Sequence, residues 1–378
     1  MADCDVLVIG AGIAGASAAC ALAERRRVLL LEREDHPGYH STGRSAAMYL
    51  ESYGPLAVRL LVRASGPFLR QPPPGFAEHP LLTPRGVLIF GRADQMAAID
   101  EAEAIARKAG SAVRRLDEAG ARRIAPMLRP GLIAAALHEA AASDLDVHAL
   151  HQGFLRGMKA RGGRLATGAE VTALRRERGL WHAVTRAGIF SAPRVVNASG
   201  AWADVVAGMA GVRPVGLVPK RRTALTFDPP DGLDLASVPL CTDVQEEFYF
   251  KPEGGRIMLS LAEETPSEPC DAQPEEFDLA LAIDRLHTAT TLEVRRIQRR
   301  WAGLRSFVAD HVPVVGPAPD EPSFLWLAGQ GGYGIESAPA VAQCLAALEA
   351  GEDLPAAIRA EGLTADRILP GRLARAAA

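Results

Sequence analysis

Apolar residues form short unbroken runs near both ends of the chain and alternate with polar residues in its middle. Val6–Ile9, Val28–Leu31 and Phe324–Ala328 are unbroken runs, which are typical of parallel strands buried on both faces. Residues 222–227 and 256–261 alternate, which predicts strands of a half-exposed sheet. Buried parallel strands and a half-exposed sheet in one chain predict an α/β fold class with two kinds of sheet.

A glycine-rich turn follows the first apolar run and leads into an alanine-rich segment predicted to be a helix over residues 13–24. Gly10, Gly12 and Gly15 allow a tight turn, close approach of a pyrophosphate, and close packing of helix on strand. Glu32 ends the second run, near the offset of ~20 residues at which a carboxylate takes ribose hydroxyls. This pattern predicts a dinucleotide site with its phosphates at the helix N-terminus. The alternative, a glycine-rich turn that binds nothing, leaves Glu32 without a role.

Two further segments bear on the site. Residues 329–334 form a second glycine-rich turn between the strand Phe324–Ala328 and a predicted helix over residues 335–349. This second turn is therefore available to another part of the same ligand. Residues 45–54, which end before Pro55, are predicted to form a short helix.

Composition narrows the classes of function. The 378 residues are 48% hydrophobic and 23% charged, with a formal net charge of −3, which favours neither nucleic acid nor anionic membrane as partner. The five cysteines form no C-x-x-C pair, so we expect reduced thiols, no metal site and a cytoplasmic location. No basic segment precedes an apolar stretch at the N-terminus, and residues 6–23 read as strand plus helix. We therefore expect neither a signal peptide nor a membrane span.

Six phrases of the sequence, in order along the chain, resemble the FAD-dependent D-amino acid oxidase and glycine oxidase family. Within that family they are most similar to bacterial D-arginine dehydrogenases. They are residues 38–47, 78–82, 220–222, 248–249, 301–310 and 329–335. The resemblance implies a Rossmann-like FAD-binding domain interleaved with an α+β substrate-binding domain built on a mixed or antiparallel sheet. The expected boundaries are 1–82, 144–217 and 303–378 for the first domain, and 83–143 and 218–302 for the second.

The same resemblance implies that FAD is bound without a covalent bond. The residues it places on the adenosine and phosphate half are Gly10, Gly12, Ile13, Ala14, Gly15, Glu32, Arg33, Val171 and Gly200. Those it places along the flavin and its phosphates are His40, Ser41, Thr42, Gly43, Arg44, Ser45, Gly331, Tyr333, Gly334 and Ile335.

The resemblance places Tyr53, Arg222, Tyr249, Arg305 and Gly332 on the substrate. Their chemistry suits an α-amino acid, because arginine binds a carboxylate with a planar fork and tyrosine hydroxyls complete its acceptors. The carbonyl of Gly332 would accept from the amine and aim Cα–H at flavin N5. The implied reaction is the oxidative deamination of a D-amino acid, by hydride transfer to FAD and hydrolysis of the imine to a 2-oxo acid and ammonia.

Two expected pocket residues depart from D-arginine dehydrogenases. Met48 stands where those enzymes have a histidine, and Val87 stands where they have the glutamate that receives the guanidinium. Both changes replace polar groups by apolar ones. We therefore expect apolar or neutral substrate side chains to be favoured over D-arginine.

Other functions stay open on the sequence alone. The same arginines suit an N-methyl amino acid, an imino acid or a 2-hydroxy acid, because each carries a carboxylate beside a reactive C–H. A non-catalytic FAD-binding subunit would not need the set of arginines and tyrosines. An NAD-dependent reductase would leave the second glycine turn without a task. Either oxygen or a quinone-like acceptor would reoxidise the flavin.

Overall fold

The computed structural model describes residues 2–376 and confirms the predicted α/β fold class, with mixed parallel and antiparallel sheets. The strands, in chain order, are β1 (Val6–Ile9), β2 (Val28–Leu31), β3 (Met48–Tyr49), β4 (Leu82–Pro84), β5 (Val87–Gly91), β6 (Val113–Leu116), β7 (Ala135–Glu139), β8 (Ser143–Leu145), β9 (Arg164–Ala166), β10 (Val171–Glu177), β11 (Leu180–Thr185), β12 (Gly188–Ala192), β13 (Arg194–Asn197), β14 (Val218–Phe227), β15 (Leu240–Asp243), β16 (Tyr249–Glu253), β17 (Arg256–Ser260), β18 (Thr265–Pro266), β19 (Arg299–Phe307), β20 (Val314–Pro317) and β21 (Phe324–Ala328).

The α-helices, in chain order, are α1 (Ile13–Leu22), α2 (Leu56–Arg70), α3 (Met96–Lys108), α4 (Glu118–Ile124), α5 (Val147–Ala160), α6 (Ala203–Met209), α7 (Glu276–Ala289), α8 (Ala338–Glu349), α9 (Ala356–Ala360) and α10 (Gly371–Ala376). Short 3-10 helices occupy Ala93–Gln95, Gly200–Trp202 and Ala365–Arg367. Among residues 2–376, no helix is both long enough and apolar enough to cross a bilayer.

A six-stranded sheet in the order β20-β21-β13-β1-β2-β9 carries both glycine-rich turns. All its neighbours are parallel except β20, which runs antiparallel to β21. Every residue of β1, β2 and β21 is buried, because α1, α2, α5 and α8 cover one face and α6 with β10-β12 covers the other. This double cover explains the unbroken apolar runs. Since β1 and β21 are parallel, their following turns lie at the same edge of the sheet.

A nine-stranded sheet lies beside this layer, in the order β18-β14-β17-β16-β15-β5-β7-β6, with β19 paired to β14. Its neighbours are antiparallel except β15 and β5. Side chains from α4 and α7 pack on it in a separate apolar cluster. The sheet combines strands from residues 87–139 and 218–307. Its strand β19 crosses residue 302, the expected end of the substrate-binding domain. The interleaved domain boundaries stay a prediction.

The predicted short helix over residues 45–54 is wrong. Met48–Tyr49 form β3 instead, which pairs with β8 in a small sheet ordered β3-β8-β4. The amide of Leu145 also donates to the carbonyl of Ala47 at 3.2 Å. The backbone of this segment is therefore held by a strand about a hundred residues away in the sequence, which no local pattern reveals.

Candidate active site

The first glycine turn has no room for side chains. Gly10 has a φ of +97°, and a Cβ there would lie 2.5 Å from the carbonyl oxygen of Ala198. A Cβ on Gly15 would lie 1.8 Å from the carbonyl oxygen of Gly10. Helix α1 therefore starts directly against the ends of β1 and β13, with the N–H groups of its first turn at the edge of the parallel sheet. These N–H groups and the helix dipole favour a phosphate there.

Glu32 and Thr42 bind the backbone of this turn. Glu32 is buried and accepts hydrogen bonds from the amides of Ala11, at 2.8 Å, and Glu34, at 3.0 Å. Thr42 Oγ1 accepts from the amide of Ile13 at 3.0 Å. A carboxylate accepts about four hydrogen bonds, so Glu32 retains capacity for hydroxyl donors.

Two adjoining cavities run along this edge. The first, of about 240 Å³, is called the nucleotide cavity; of the predicted site residues it is lined by Gly10, Gly12, Glu32, Arg33, His40, Ser41, Thr42, Val171 and Gly200. The second, of about 140 Å³, is called the middle cavity; of the predicted cofactor residues it is lined by Gly12, Ile13, Ala14, Ser41, Thr42, Arg44, Ser45, Gly200, Gly331, Gly334 and Ile335. The shared lining residues show that the two cavities lie next to each other.

Two predicted cofactor residues line neither of these cavities nor the one described next. Gly15 is covered by Gly10, as described above. Gly43 lines a different, open cleft of about 1180 Å³, whose other lining residues include Asp144 and Lys251. The imidazole of His40 lies 2.9 Å from Glu34 Oε1 and packs against Trp202, so its side chain is engaged by protein.

The middle cavity leads to a third cavity of about 340 Å³, here called the arginine cavity. It contains Arg222 on β14 and Arg305 on β19. These strands pair so that Arg222 lies opposite Gly303 and Arg305 lies opposite Lys220. Since residues two apart on a strand share a face, both guanidinium groups project from the same face of the sheet.

Within the described chain, Arg305 has no carboxylate partner and Arg222 has only one long ion pair. Arg222 is buried, its Nε lacks a hydrogen-bond partner, and its nearest carboxylate oxygen, on Glu264, is 3.6 Å away. No carboxylate oxygen of residues 2–376 lies within 4.0 Å of a guanidinium nitrogen of Arg305. Burial and the charge of Arg305 lower the pKa of Arg222. Arg222 is buried and Arg305 is half-buried, and the two positive charges share a single long ion pair, to Glu264, so the pair favours binding of an anion.

Tyrosines surround the arginine pair. Burial raises the pKa of Tyr53 well above its ordinary value, so its hydroxyl stays protonated and can donate. In this structure that hydroxyl donates to Glu246 Oε2 at 3.1 Å, and the ring packs 5.1 Å from that of Tyr333. Burial by itself would lower the pKa of Arg305. Tyr249, Tyr53 and Glu246 raise this pKa by more than burial lowers it, so the pKa of Arg305 is raised overall. Arg305 therefore keeps its positive charge.

The second glycine turn closes over this group. A Cβ on Gly331 would lie 2.3 Å from the ring of Phe307, and a Cβ on Gly332 would lie 3.0 Å from Arg305 Nη1. The backbone of the turn therefore approaches the guanidinium more closely than a side chain would allow. All five predicted substrate residues line the arginine cavity together: Tyr53, Arg222, Tyr249, Arg305 and Gly332.

The predicted pocket residues Met48 and Val87 also line the arginine cavity. Val87 is buried on β5 and lies opposite Glu139 of β7, so both side chains point to the same face. Glu139 is buried too, and its carboxyl accepts a hydrogen bond from Ser52 Oγ at 2.6 Å. Burial raises the pKa of Glu139. The pocket therefore has a carboxyl group beside Val87, which the sequence analysis did not predict.

Four acids line the cavity: Glu139, Asp243, Glu246 and Glu336. Sequence reasoning placed only Glu246 near the pocket, in the charged segment before Tyr249, and it missed the other three. Glu336 directly follows the turn ending in Ile335, and this position is the only sequence signal that pointed to Glu336. The neighbouring acid Glu51 lies outside the cavity lining, and its carboxylate accepts hydrogen bonds from the hydroxyl of Tyr49 and the guanidinium of Arg70.

Comparisons with known proteins place this geometry in context. A family model described as "FAD dependent oxidoreductase" (DAO) matches residues 5–348. A bovine "FAD-dependent oxidoreductase domain-containing protein 1" is 29% identical over 169 residues, which are 40% of this chain and 34% of that protein. Mouse mitochondrial dimethylglycine dehydrogenase is 26% identical over 239 residues, which are 58% of this chain and 27% of that protein. The matches thus span only about a third of these relatives' length.

Solved structures share the fold along nearly the whole chain. L-proline dehydrogenase from P. horikoshii has a TM-score of 0.84 and 22% identity and covers 99% of both chains. Glycine oxidase from Geobacillus kaustophilus has a TM-score of 0.81 and 22% identity and covers 93% of this chain and 95% of its own. L-α-glycerophosphate oxidase from Mycoplasma pneumoniae, solved with FAD bound, has a TM-score of 0.82 and 16% identity and covers 92% and 94%. At these identities the likeness concerns the fold.

Proposed function

Because this chain belongs to the DAO family of FAD-dependent oxidoreductases, we propose that it oxidatively deaminates D-amino acids in the arginine cavity. The observation that carries the proposal is the pair Arg222 and Arg305, two guanidinium groups on one sheet face that share only one long ion pair, to Glu264. A substrate carboxylate supplies the missing negative charge. Similarity to D-arginine dehydrogenases in particular stays a prediction.

FAD is the cofactor, and the residues present fit it. The nucleotide cavity offers the side-chain-free turn at Gly10 and Gly12 and the buried carboxylate of Glu32. The middle cavity leads from there to the arginine cavity past the second glycine turn. His40, the predicted cofactor residue best suited to covalent attachment, is held by Glu34. We therefore infer that FAD is bound without a covalent bond.

The protein's own contribution to the reaction is positioning. Arg222 and Arg305 bind the carboxylate, the hydroxyls of Tyr53 and Tyr249 donate to it, and the carbonyl of Gly332 accepts from the amine. FAD, when bound, supplies the acceptor for the hydride that leaves Cα. The substrate loses that hydride and a proton and becomes an imine. Water then hydrolyses the imine to a 2-oxo acid and ammonia.

A second candidate function keeps the site and changes the substrate. The arginine pair recognises the carboxylate alone, so an N-methyl amino acid, an imino acid or a 2-hydroxy acid meets the same contacts. The names of dimethylglycine dehydrogenase and L-proline dehydrogenase among the similar proteins favour keeping this alternative.

Substrate side chains are expected to be apolar or neutral. The wall around Met48 and Val87 includes Ile89 and Leu240, and burying a leucine-sized group there gains about 1.5–3 kcal/mol. A guanidinium would lose water there, and it would compete with the Ser52 hydroxyl for the buried carboxyl of Glu139. Burial and charge thus act in the same direction.

The test is steady-state turnover with an artificial electron acceptor, in which 2-oxo acid and ammonia are measured. We expect D-leucine and D-methionine to exceed D-arginine and D-lysine in kcat/KM by at least about tenfold, the equivalent of about 1.4 kcal/mol. Val87→Glu should raise D-arginine turnover, and Glu139→Gln should leave D-leucine turnover near the native value. Preference for D-arginine, abolished by Glu139→Gln, would contradict the side-chain assignment. Turnover of imino or 2-hydroxy acids alone would establish the second candidate.

A further inference from the structure

Glu336 is a buried carboxyl in the arginine cavity that the mechanism above does not use. Its side chain is 4% exposed. Oε2 accepts a hydrogen bond from the amide of Leu50 at 2.9 Å, and Oε1 has no hydrogen-bond partner among residues 2–376. No cationic nitrogen of the described chain lies within 4.0 Å of it. The cavity therefore holds two arginines that share one long ion pair, to Glu264, and a carboxyl without a cation.

This arrangement is complementary to a zwitterion. When the carboxylate of an α-amino acid is bound by Arg222 and Arg305, its ammonium lies two bonds from the carboxylate carbon, on the other side of Cα. The ammonium then needs hydrogen-bond acceptors. The carbonyl of Gly332, in the second glycine turn, is one, and the carboxyl of Glu336, four residues later, also lines the cavity. An ammonium has three donors, so the carbonyl of Gly332 and Oε1 of Glu336 can both accept from it.

Several ionisable groups act on Glu336. Burial has the largest effect on the pKa of Glu336 and raises it, and the charge of Glu51 also raises it. The amide of Leu50 and the charge of Arg305 lower it. Together these effects bring the pKa of Glu336 to about 8. The other titratable or charged groups that line the cavity are Tyr53, Glu139, Arg222, Asp243, Glu246, Tyr249 and Tyr333. Near neutral pH the carboxyl is thus close to its own titration and able to exchange a proton.

We propose that Glu336 accepts the proton that the substrate ammonium must lose before its Cα–H bond breaks. An imine cannot form while the nitrogen lone pair carries a proton. When the zwitterion binds, Glu336 first gives its own proton to solvent and becomes a carboxylate. One N–H bond of the ammonium then breaks, an O–H bond forms on Oε1 of Glu336, and the amine is left neutral with its electron pair free. Glu336 is thereby protonated again, as it was before the substrate bound. This inference rests on the proposed function.

The first test is the pH dependence of anaerobic flavin reduction at saturating D-amino acid, comparing native protein with Glu336→Gln. The amide keeps an acceptor for Leu50 and removes the proton acceptor. We expect reduction by the variant near pH 7 to be slower by at least about a hundredfold, the lower end for loss of a general base. The midpoint of its profile should also move upward, so that the two rates converge at high pH. An equal loss at every pH would contradict the proposal.

Glu51→Gln is the matched variant, because it removes a charge that raises the pKa of Glu336 from outside the cavity. It should move the midpoint downward, opposite to Glu336→Gln. An upward shift in both variants would indicate a general disturbance and overturn the assignment.

A second readout does not depend on turnover. 2-Aminoisobutyrate lacks a Cα–H bond, so it can bind and not react. Calorimetric titration near pH 7 in two buffers of different ionisation heat counts the protons released. Native protein should release up to one proton as Glu336 ionises beside the ammonium, and Glu336→Gln should release none. Equal release by both proteins would contradict the role of Glu336. Absence of flavin reduction by any amino acid in native protein would instead refute the proposed function.

Discussion

At the scale of single residues, charge balance inside the arginine cavity decides what can bind there. Arg222 and Arg305 repel each other, and the nearest carboxylate to Arg222, on Glu264, is 3.6 Å away. Buried charges are costly unless they are paired. A ligand carboxylate relieves both the repulsion and the desolvation, so it binds here more strongly than at an exposed arginine.

This charge balance makes a prediction for truncation of either arginine. Arg222→Ala or Arg305→Ala should reduce kcat/KM by roughly a hundred- to several-thousand-fold, because loss of one partner of a desolvated pair costs about 3–5 kcal/mol. Bound FAD, measured by its visible spectrum, should remain. Arg299 is exposed at the start of β19, the strand that carries Arg305, and serves as the control. Arg299→Ala should have a kcat/KM close to that of the native protein. Native activity in either cavity variant would remove that arginine from the site.

Individual residues differ in how well the sequence revealed them. The spacing of Gly10, Gly12 and Gly15 carries its own geometry, so the turn could be predicted directly. Glu139 and Glu336 carry no such signal. Glu139 reaches the cavity only because β7 pairs with β5 opposite Val87, and that pairing depends on the whole sheet.

At the scale of elements, strand register builds the site. Pairing of β14 with β19 sets the two arginines on one face, and a shift by one residue would turn one of them away. Sequence patterns found these strands because alternation is a local property. They misjudged residues 45–54, because the partner of β3 is β8 rather than a neighbouring segment.

The connection between β15 and β16, residues 244–248, should act as a lid. Gln245 and Glu246 are exposed, Glu246 has a φ of +56°, and its carboxylate accepts from Tyr53 at the cavity mouth. Because lids are weakly packed loops, we expect backbone amides here to exchange with deuterium much faster than those of β16. Tyr53→Phe should speed this exchange further. Exchange as slow as in β16 would show that the segment is not a lid.

At the scale of the whole molecule, two sheets divide the work. The parallel sheet holds both glycine turns at one edge, and the nine-stranded sheet presents the arginines beside that edge. The sequence predicted this architecture because buried and half-exposed strands differ in their patterns and because six phrases resemble one family. The interleaved boundaries remain a prediction, since β19 runs on past residue 302 into the turn region.

The central claim is that an amino acid bound in the arginine cavity reduces the bound FAD. Anaerobic mixing of the purified holoprotein with D-leucine, while the visible flavin absorbance is recorded, tests it most directly, with L-leucine and Arg305→Ala as matched comparisons. We predict rapid bleaching of the native protein by D-leucine, little by L-leucine, and a rate lower by at least about a hundredfold in the variant. A flavin that stays oxidised with every D- and L-amino acid offered would contradict the claim.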